Sequence, residues 1–298
     1  MSGLEKDIKK KLISITGDCE AQLIEDPIIM LETIKLVAET NFDIAKDTYE
    51  VMLKNAALLG KPGKNRIRDA FGDIMEAEFA GKGLKMIVGC GLLPYIIGMS
   101  VAEKVGRREL TDMETLAAGI GNTKLVRLRR LGMFYLCFEK DRALKAIEYL
   151  NYDIATRQTL IDGVTQQEKL YFMAKKEDLK DFLAEYGFER YNYIHNLAKA
   201  YAIVFDTPNI KIKNRIYMYE EIINNKEPIY IEDLAITEAD LAEEGIAEGE
   251  KAQEILKMLT DVVHRKPREN TEEALLVYAK RFSKNKISAA LRKVHWLK

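Results

Sequence analysis

The side chains with most chemistry to offer in this sequence are cations, and they come in clusters. Lys61 and Lys64 lead into Asn65-Arg66-Ile67-Arg68. Lys104, Arg107 and Arg108 form a second group. Lys124, Arg127, Arg129 and Arg130 form a third, and Glu109, Asp112 and Glu114 are the acids between them. Lys9, Lys10 and Lys11 sit near the start. Residues 264–298 hold ten Lys or Arg against three Glu, with Lys284, Lys286, Arg292 and Lys293 set among Phe282, His295 and Trp296. Cations spaced along helices suit a phosphate backbone, and interleaved aromatics suit stacking on unpaired bases. Each cluster also has a plainer reading as a solvated helix face. For the last, that reading is an amphipathic helix docking Leu291, Val294 and Trp296 on the core. Residues 217–254 pull the other way, with twelve Asp or Glu and only Lys226 and Lys251, a balance that repels RNA.

Other chemistries find less support. Cys19, Cys90 and Cys137 are far apart with no CxxC pair, which suits reduced, buried thiols rather than disulfides or zinc. No His-Asp dipeptide occurs, and His195 reads as a structural histidine. No apolar run approaches the ~20 residues needed to cross a bilayer, and the start of the chain is polar and basic, so a cytoplasmic protein without membrane contact is expected. The net charge of −1, from 46 bases and 47 acids, says nothing about partners; the distribution does.

The elements that must hold these side chains read as helices. Asp26-Pro27 is a helix start, a cap acceptor followed by a residue with preset φ. Met30, Leu31, Ile34, Val37 and Ala38 then follow at helical spacing. A second helix carries Tyr49, Met52, Leu53 and Ala56 on one face and stops at Gly60. A third carries Ile67, Ala70, Phe71, Ile74 and Met75 and stops near Gly81. Further helices are expected over 124–138, 141–150, 167–173, 177–186 and 214–225, with Leu125, Leu128, Leu131, Met133, Tyr135 and Leu136 buried on the first of them. Gly245 to Gly249 reads as a tight turn between helices, where glycine admits φ > 0 and brings backbone N–H groups near the surface. At 298 residues and 47% apolar composition, the chain has material for two or three packed all-α units.

These stretches resemble a known family. Glu25-Asp26-Pro27, Asn41-Phe42-Asp43-Ile44 with Thr48, and Asn65-Arg66-Ile67-Arg68-Asp69 are similar to the neck blocks E-D-P-x-R, F-x-I-x-x-x-T and E-R-I-R-x-E of CCA-adding tRNA nucleotidyltransferases and bacterial poly(A) polymerases. Gly3-Leu4-Glu5 with Asp7-Ile8 resembles the segment that joins head to neck. Glu227-Pro228-Ile229 through Asp233-Leu234-Ala235-Ile236, Gly245 to Gly249, and Asn270-Thr271 resemble the family tail, with Glu238 and Gln253 at two of its glycine positions. The resemblance implies that Asp26 lies in a nucleotide-base site. It also implies that this site is degenerate, because Ile29, Glu32 and Lys35 stand at the arginine positions, and isoleucine offers no polar group. The family head supplies a Gly-Ser-x-x-Arg-Asp turn and an Asp-x-Asp pair for Mg and nucleoside triphosphates. Neither pattern occurs here, so no catalytic residue, metal or cofactor is expected in this chain.

The resulting expectation is an all-α protein with neck (1–82), body (83–200, without an HD metal motif) and tail (201–298), and without a catalytic head. The expected function is non-catalytic binding of tRNA or tRNA-like RNA, a pseudoenzyme. Its contacts would come from Lys64, Arg66, Arg68, Lys104, Arg107, Arg108, Arg127, Arg129, Arg130, Lys284, Lys286, Arg292 and Lys293. Two other readings stand beside it. One is the C-terminal part of a split nucleotidyltransferase that works with a separately encoded head. The other is a helical protein-interaction scaffold.

Overall fold

A computed structural model describes residues 4–7, 9–100 and 103–284 of the chain. Three short strands come first or early: β1 (Leu4–Asp7), β2 (Leu12–Ile15) and β3 (Asp43–Ile44). β1 runs antiparallel to β2, and β3 runs parallel to it. All other regular structure among the described residues is helical. The helices are α1 (Cys19–Glu25), α2 (Ile29–Thr40), α3 (Lys46–Lys54), α4 (Lys64–Glu76), α5 (Ala80–Gly89), α6 (Leu93–Ile96), α7 (Arg107–Gly119) and α8 (Arg127–Tyr135). Then follow α9 (Lys140–Tyr149), α10 (Ile154–Gln166), α11 (Lys169–Phe172), α12 (Lys176–Val204), α13 (Ile210–Asn224), α14 (Glu238–Glu243), α15 (Gly249–Arg265) and α16 (Glu272–Lys284). The class is all-α, with a small sheet that period-2 patterning over four residues is too short to reveal.

The described chain divides into two compact units. The first takes residues up to Tyr171 together with Asn192–Ile212, and the second takes Phe172–Tyr191 and the chain from Lys213 on. In the first unit, the stripes on α2 and α4 meet the apolar side of α5. Met30, Leu31, Ile34, Val37, Ala38, Ile67, Phe71, Ile74 and Met75 are all buried there. Helices of 10 to 13 residues are marginal alone, and this shared core supplies their stability. Gly83 sits at the crossing: a Cβ there would lie 2.7 Å from Ile74 Cγ2 and 3.1 Å from Ala38 Cβ. Residues on either side of position 82 share one apolar cluster, from Ile15 to Val204.

Several local expectations shift. Asp26 closes α1 as its C-cap, and α2 begins two residues beyond Pro27. Leu53 is 47% exposed, about 100° round the helix from the buried Met52; the second helix ends at Lys54, and a 3-10 turn, Ala56–Gly60, carries the chain to Gly60. The third helix ends at Glu76, and Gly81 lies inside α5. Leu125 is 55% exposed, ahead of the start of α8. Cys90 and Cys137 are buried free thiols, pushed up by burial, the first to about 12; Cys19 is only half-buried.

In the second unit, α15 lies against α14 and α16 through Leu241, Ile255, Leu256, Leu259, Val263 and Leu275. Gly245 and Gly249 have φ of +63° and +57°, as the turn reading requires. Asn270 ties the tail loops: its side chain accepts from Ala235 N (2.9 Å) and donates to Asp233 O (2.9 Å). α12 is interrupted at Gly187, with φ 75° and ψ 167°.

Candidate nucleic-acid interface

Two arrangements on the first unit bring charged side chains together, and α4 builds both. At its start, Arg66 reaches across to Asp26. The guanidinium donates through both Nη atoms to both carboxylate oxygens, at 3.0 and 2.7 Å. This two-pronged bond holds the Asp26 carboxyl below its ordinary value, and Ile28 N–H adds a weaker bond of 3.3 Å. Glu32 adds a longer-range attraction to Arg66. Ile29 is 7% exposed and belongs to the core, and Lys35 is tied to Asp73 at 2.7 Å. The described geometry thus pairs Asp26 with an arginine from α4, forty residues away in sequence.

The side chains of this pair are 35% and 54% exposed, so solvent screens it. Arg66→Ala is expected to cost under about 1 kcal/mol in a urea titration. The same change should let the Asp26 carboxyl rise toward the ordinary aspartate value, read by NMR titration. The depressed value means that the pair stabilises the fold above the ordinary aspartate range, with the gain lost as pH falls through the depressed value. A loss above about 2 kcal/mol would show a structural role that exposure does not explain.

The second arrangement is a cleft of about 370 Å³ between α4, α8 and the start of α10. Arg68, Asp69 and Gly72 come from α4, Arg127, Leu128 and Leu131 from α8, and Tyr152, Asp153 and Thr156 from the α9–α10 junction. Asn151 turns the chain here with φ 52°, and Asp153 caps α10 by accepting from Thr156 N at 2.9 Å. Arg68 donates to Asn151 O (2.6 Å), Asn65 Oδ1 (3.2 Å) and Asp69 Oδ1 (2.9 Å). Arg127 spans to Asp73 (2.6 Å) and Glu76 (2.8 Å) and packs against Gly72, where a Cβ would meet its Nη1 at 3.1 Å. Tyr152 is buried, its hydroxyl shared with Tyr135 at 2.9 Å, and burial pushes it up to about 12.

The remaining expected contacts scatter. Lys64 stands 4.5 Å over the Tyr149 ring, a cation–π contact. Lys104 and Arg107 are exposed at the start of α7, and Arg108 pairs with Glu139 at 3.2 Å. Arg129 is half-buried, with its basicity reduced by burial. Lys284 is exposed at the end of α16, in the second unit. Lys286, Arg292 and Lys293 lie outside the described residues. Arg130 requires a correction: it is 1% exposed, and its donors go to Met75 O, Ala77 O, Ile120 O and Thr123 O, so it holds helix ends together and offers nothing to an RNA surface. Its place in a basic run concealed this.

The sequence reading overlooked Tyr149 and Tyr152. The signal available for Tyr152 was Asn-Tyr-Asp ahead of a helical stretch, a turn residue and a cap acceptor bracketing an aromatic. His195 faces Ile212 O through Nε2 at 3.0 Å, and burial lowers its basicity. The backbone N–H that the tight turn at Gly249 brings to the surface is already taken. Gly249 N–H donates to Glu238 Oε1 at 3.1 Å, and Gln253 Nε2 donates to Glu238 Oε2 at 2.7 Å. Among the described residues, no three His, Cys, Asp or Glu side chains converge as metal ligands, and no helix is long and apolar enough to cross a membrane.

Arg66 and Arg68 of α4 lie in a segment shared with known proteins. Residues 41–99 match the family described as "Probable RNA and SrmB- binding site of polymerase A". The chain is similar to the CCA-adding enzyme of Geobacillus sp. (strain WCH70), 30% identical over 94 residues, 32% of this chain and 23% of that protein. It is also similar to that of Streptococcus mutans, 27% identical over 108 residues, 36% of this chain and 27% of that protein. Among solved structures, the Bacillus stearothermophilus CCA-adding enzyme in complex with CTP superposes with a TM-score of 0.69 at 19% identity, over 92% of this chain and 66% of that one. The Thermotoga maritima CCA-adding enzyme complexed with tRNA gives 0.56 at 14% identity, over 91% and 64%. The sequence matches thus span about a quarter of the relatives' length. The chain is therefore similar to CCA-adding enzymes over about a third of its length and to the polymerase A RNA-binding region over residues 41–99, and it shares the fold of the solved CCA-adding enzymes.

Proposed function

We propose that this chain binds tRNA or a tRNA-like RNA through backbone contacts and shape, and performs no nucleotide addition by itself. The observation that carries the reading is the match of residues 41–99 to the probable RNA-binding site of polymerase A, with α4 and its exposed Lys64 and Arg66 inside it. The likeness to a CCA-adding enzyme complexed with tRNA supports the choice of RNA. The non-catalytic part rests on Ile29 and Glu32: the position three residues beyond Asp26 carries a buried isoleucine, and Arg66 is engaged with the carboxylate. Mg and nucleoside triphosphates then have no role in this chain's own chemistry. A separately encoded head that restores nucleotide addition is the competing reading.

The test is tRNA binding by the full chain over a salt series, against a DNA duplex of equal charge. Preference for tRNA, with affinity falling steeply with salt, is expected. With about five phosphates contacted, raising salt fourfold should weaken binding by roughly two to three orders of magnitude. Lys64→Glu with Arg107→Glu should weaken binding further and flatten the slope. Equal affinity for duplex DNA, or no binding at low salt, would overturn the reading. Incorporation of labelled nucleotide by the purified chain would overturn its non-catalytic part.

A further inference from the structure

We propose that the cleft between α4, α8 and the start of α10 takes an unstacked guanine base of the bound RNA, an inference that rests on the RNA-binding reading above. A volume of about 370 Å³ lies at the small end of sites for organic ligands. Its surface is mostly apolar, with Leu128 and Leu131 along one wall and Tyr152 at the floor. Gly72 carries no side chain, and the Arg127 side chain packs into the space a Cβ would take. A mostly apolar cleft lined by an aromatic ring and arginine side chains offers the groups with which RNA-binding proteins hold splayed bases.

The polar groups at the rim select among ligands. A free phosphate gains little: Asp153 already occupies the α10 terminus, and Asp69, Asp73 and Glu76 balance the two arginines. A base with both donors and acceptors gains more. Arg68 has spent Nε and Nη1, and Arg127 has spent Nε and Nη2, which leaves Arg68 Nη2 and Arg127 Nη1 as donors. Asp69 Oδ1 takes Arg68 Nε, which leaves Oδ2 as an acceptor. Guanine offers O6 and N7 as acceptors to these two remaining donors and an N–H donor to Asp69 Oδ2, a combination that no other base presents.

The experiment uses the full chain and a tRNA transcript carrying 6-thioguanosine in part of its guanosine positions. After irradiation, crosslinked peptides are expected from α4, α8 or the first turn of α10, and guanosine monophosphate should compete better than adenosine or cytidine monophosphate. Thr156 is half-buried at the cleft edge, so Thr156→Trp fills the space without entering the core. It should cut the crosslink roughly tenfold, the size of one lost base contact, while leaving the salt slope of tRNA binding unchanged. Asp69→Asn, at a side chain 64% exposed, should erase the preference for guanosine monophosphate without touching the fold. Crosslinks elsewhere, or a crosslink indifferent to both variants, would overturn the cleft assignment and leave the RNA reading intact. No tRNA binding at all would remove the RNA reading, and the cleft assignment with it.

Discussion

Replacing Arg130 with methionine is expected to lower the stability of the first unit by about 4 kcal/mol. The arginine is 1% exposed and carries no carboxylate partner at bonding distance. Its charge is balanced instead by carbonyl ends. Nη1 donates to Met75 O (3.0 Å) and Ala77 O (2.8 Å), where α4 finishes, and Nη2 to Ile120 O and Thr123 O (both 3.3 Å), beyond the end of α7. Carbonyls at helix C-termini lack intrahelical partners and carry partial negative charge, so one buried cation satisfies two ends at once. Methionine fills similar volume but removes the donor from Met75 O and Thr123 O, while Ala77 O and Ile120 O keep bonds from Ala80 N–H and Thr123; each buried acceptor left unsatisfied costs about 1–3 kcal/mol before relaxation. Arg130→Lys should recover little, because an ammonium cannot span two helix ends as the planar guanidinium does. Thermal unfolding followed by far-ultraviolet circular dichroism should show a drop of roughly 8–16 °C for methionine. A drop of less than 2 °C would show that water replaces the guanidinium at no cost. Per folded molecule, tRNA binding should be unchanged, which separates this residue from Lys64 and Arg66.

Arg130 also shows where the sequence stops being legible. Helical period placed the stripes of α2 and α4, with Ala70 alone of the named positions only partly buried, because burial repeats every three to four positions and sequence records it. Glycines at 245 and 249 announced a turn with positive φ, since few other residues adopt it cheaply. Family blocks announced the α2 and α4 segments. A run of basic residues, by contrast, carries no mark of which member turns inward: Arg127, Arg129 and Arg130 differ in exposure through the position of α8 against α4, which is a tertiary fact. The same holds for Asp26. As a lone residue before proline it read as a helix N-cap; its carboxylate instead meets Arg66 through a contact spanning forty positions. Glu238 and Gln253 read separately as two lost glycines. In the fold they bond to each other, and Glu238 takes the Gly249 N–H as well, so the two departures form one local cap.

Glu227 supplies the other large effect, in the second unit. Lys180 is fully buried, and its ammonium meets Glu227 Oε2 at 2.6 Å and His264 O at 3.4 Å. Lys176 bonds the other oxygen of Glu227 at 2.8 Å and reaches Glu221 at 2.8 Å. His264, itself 4% exposed, meets Asp181 Oδ1 at 2.6 Å and Ile229 O at 2.9 Å, so α12, α15 and the loop at 229 are joined through this cluster. Burial alone would push the Glu227 carboxyl up, but hydrogen bonds from Lys176 and Lys180 hold it below the ordinary glutamate value. Glu227→Gln keeps the shape and removes the charge, which strands a buried ammonium; the expected loss is about 3–5 kcal/mol. Lys180→Met combined with Glu227→Leu removes both charges and should recover most of that loss, since a buried ion pair returns little over apolar packing of the same volume. The pH dependence follows from the sign of the shift. A depressed carboxyl contributes fully above its unfolded value, about 4.3, and loses that contribution as pH falls through the lower folded value. Urea titrations from neutral pH down to about pH 3 should therefore show an acid-side decline that is shallower in Glu227→Gln. If both variants lose stability equally, the cost lies in packing around the loop at 229; if the single variant alone is destabilised, the unpaired lysine carries it.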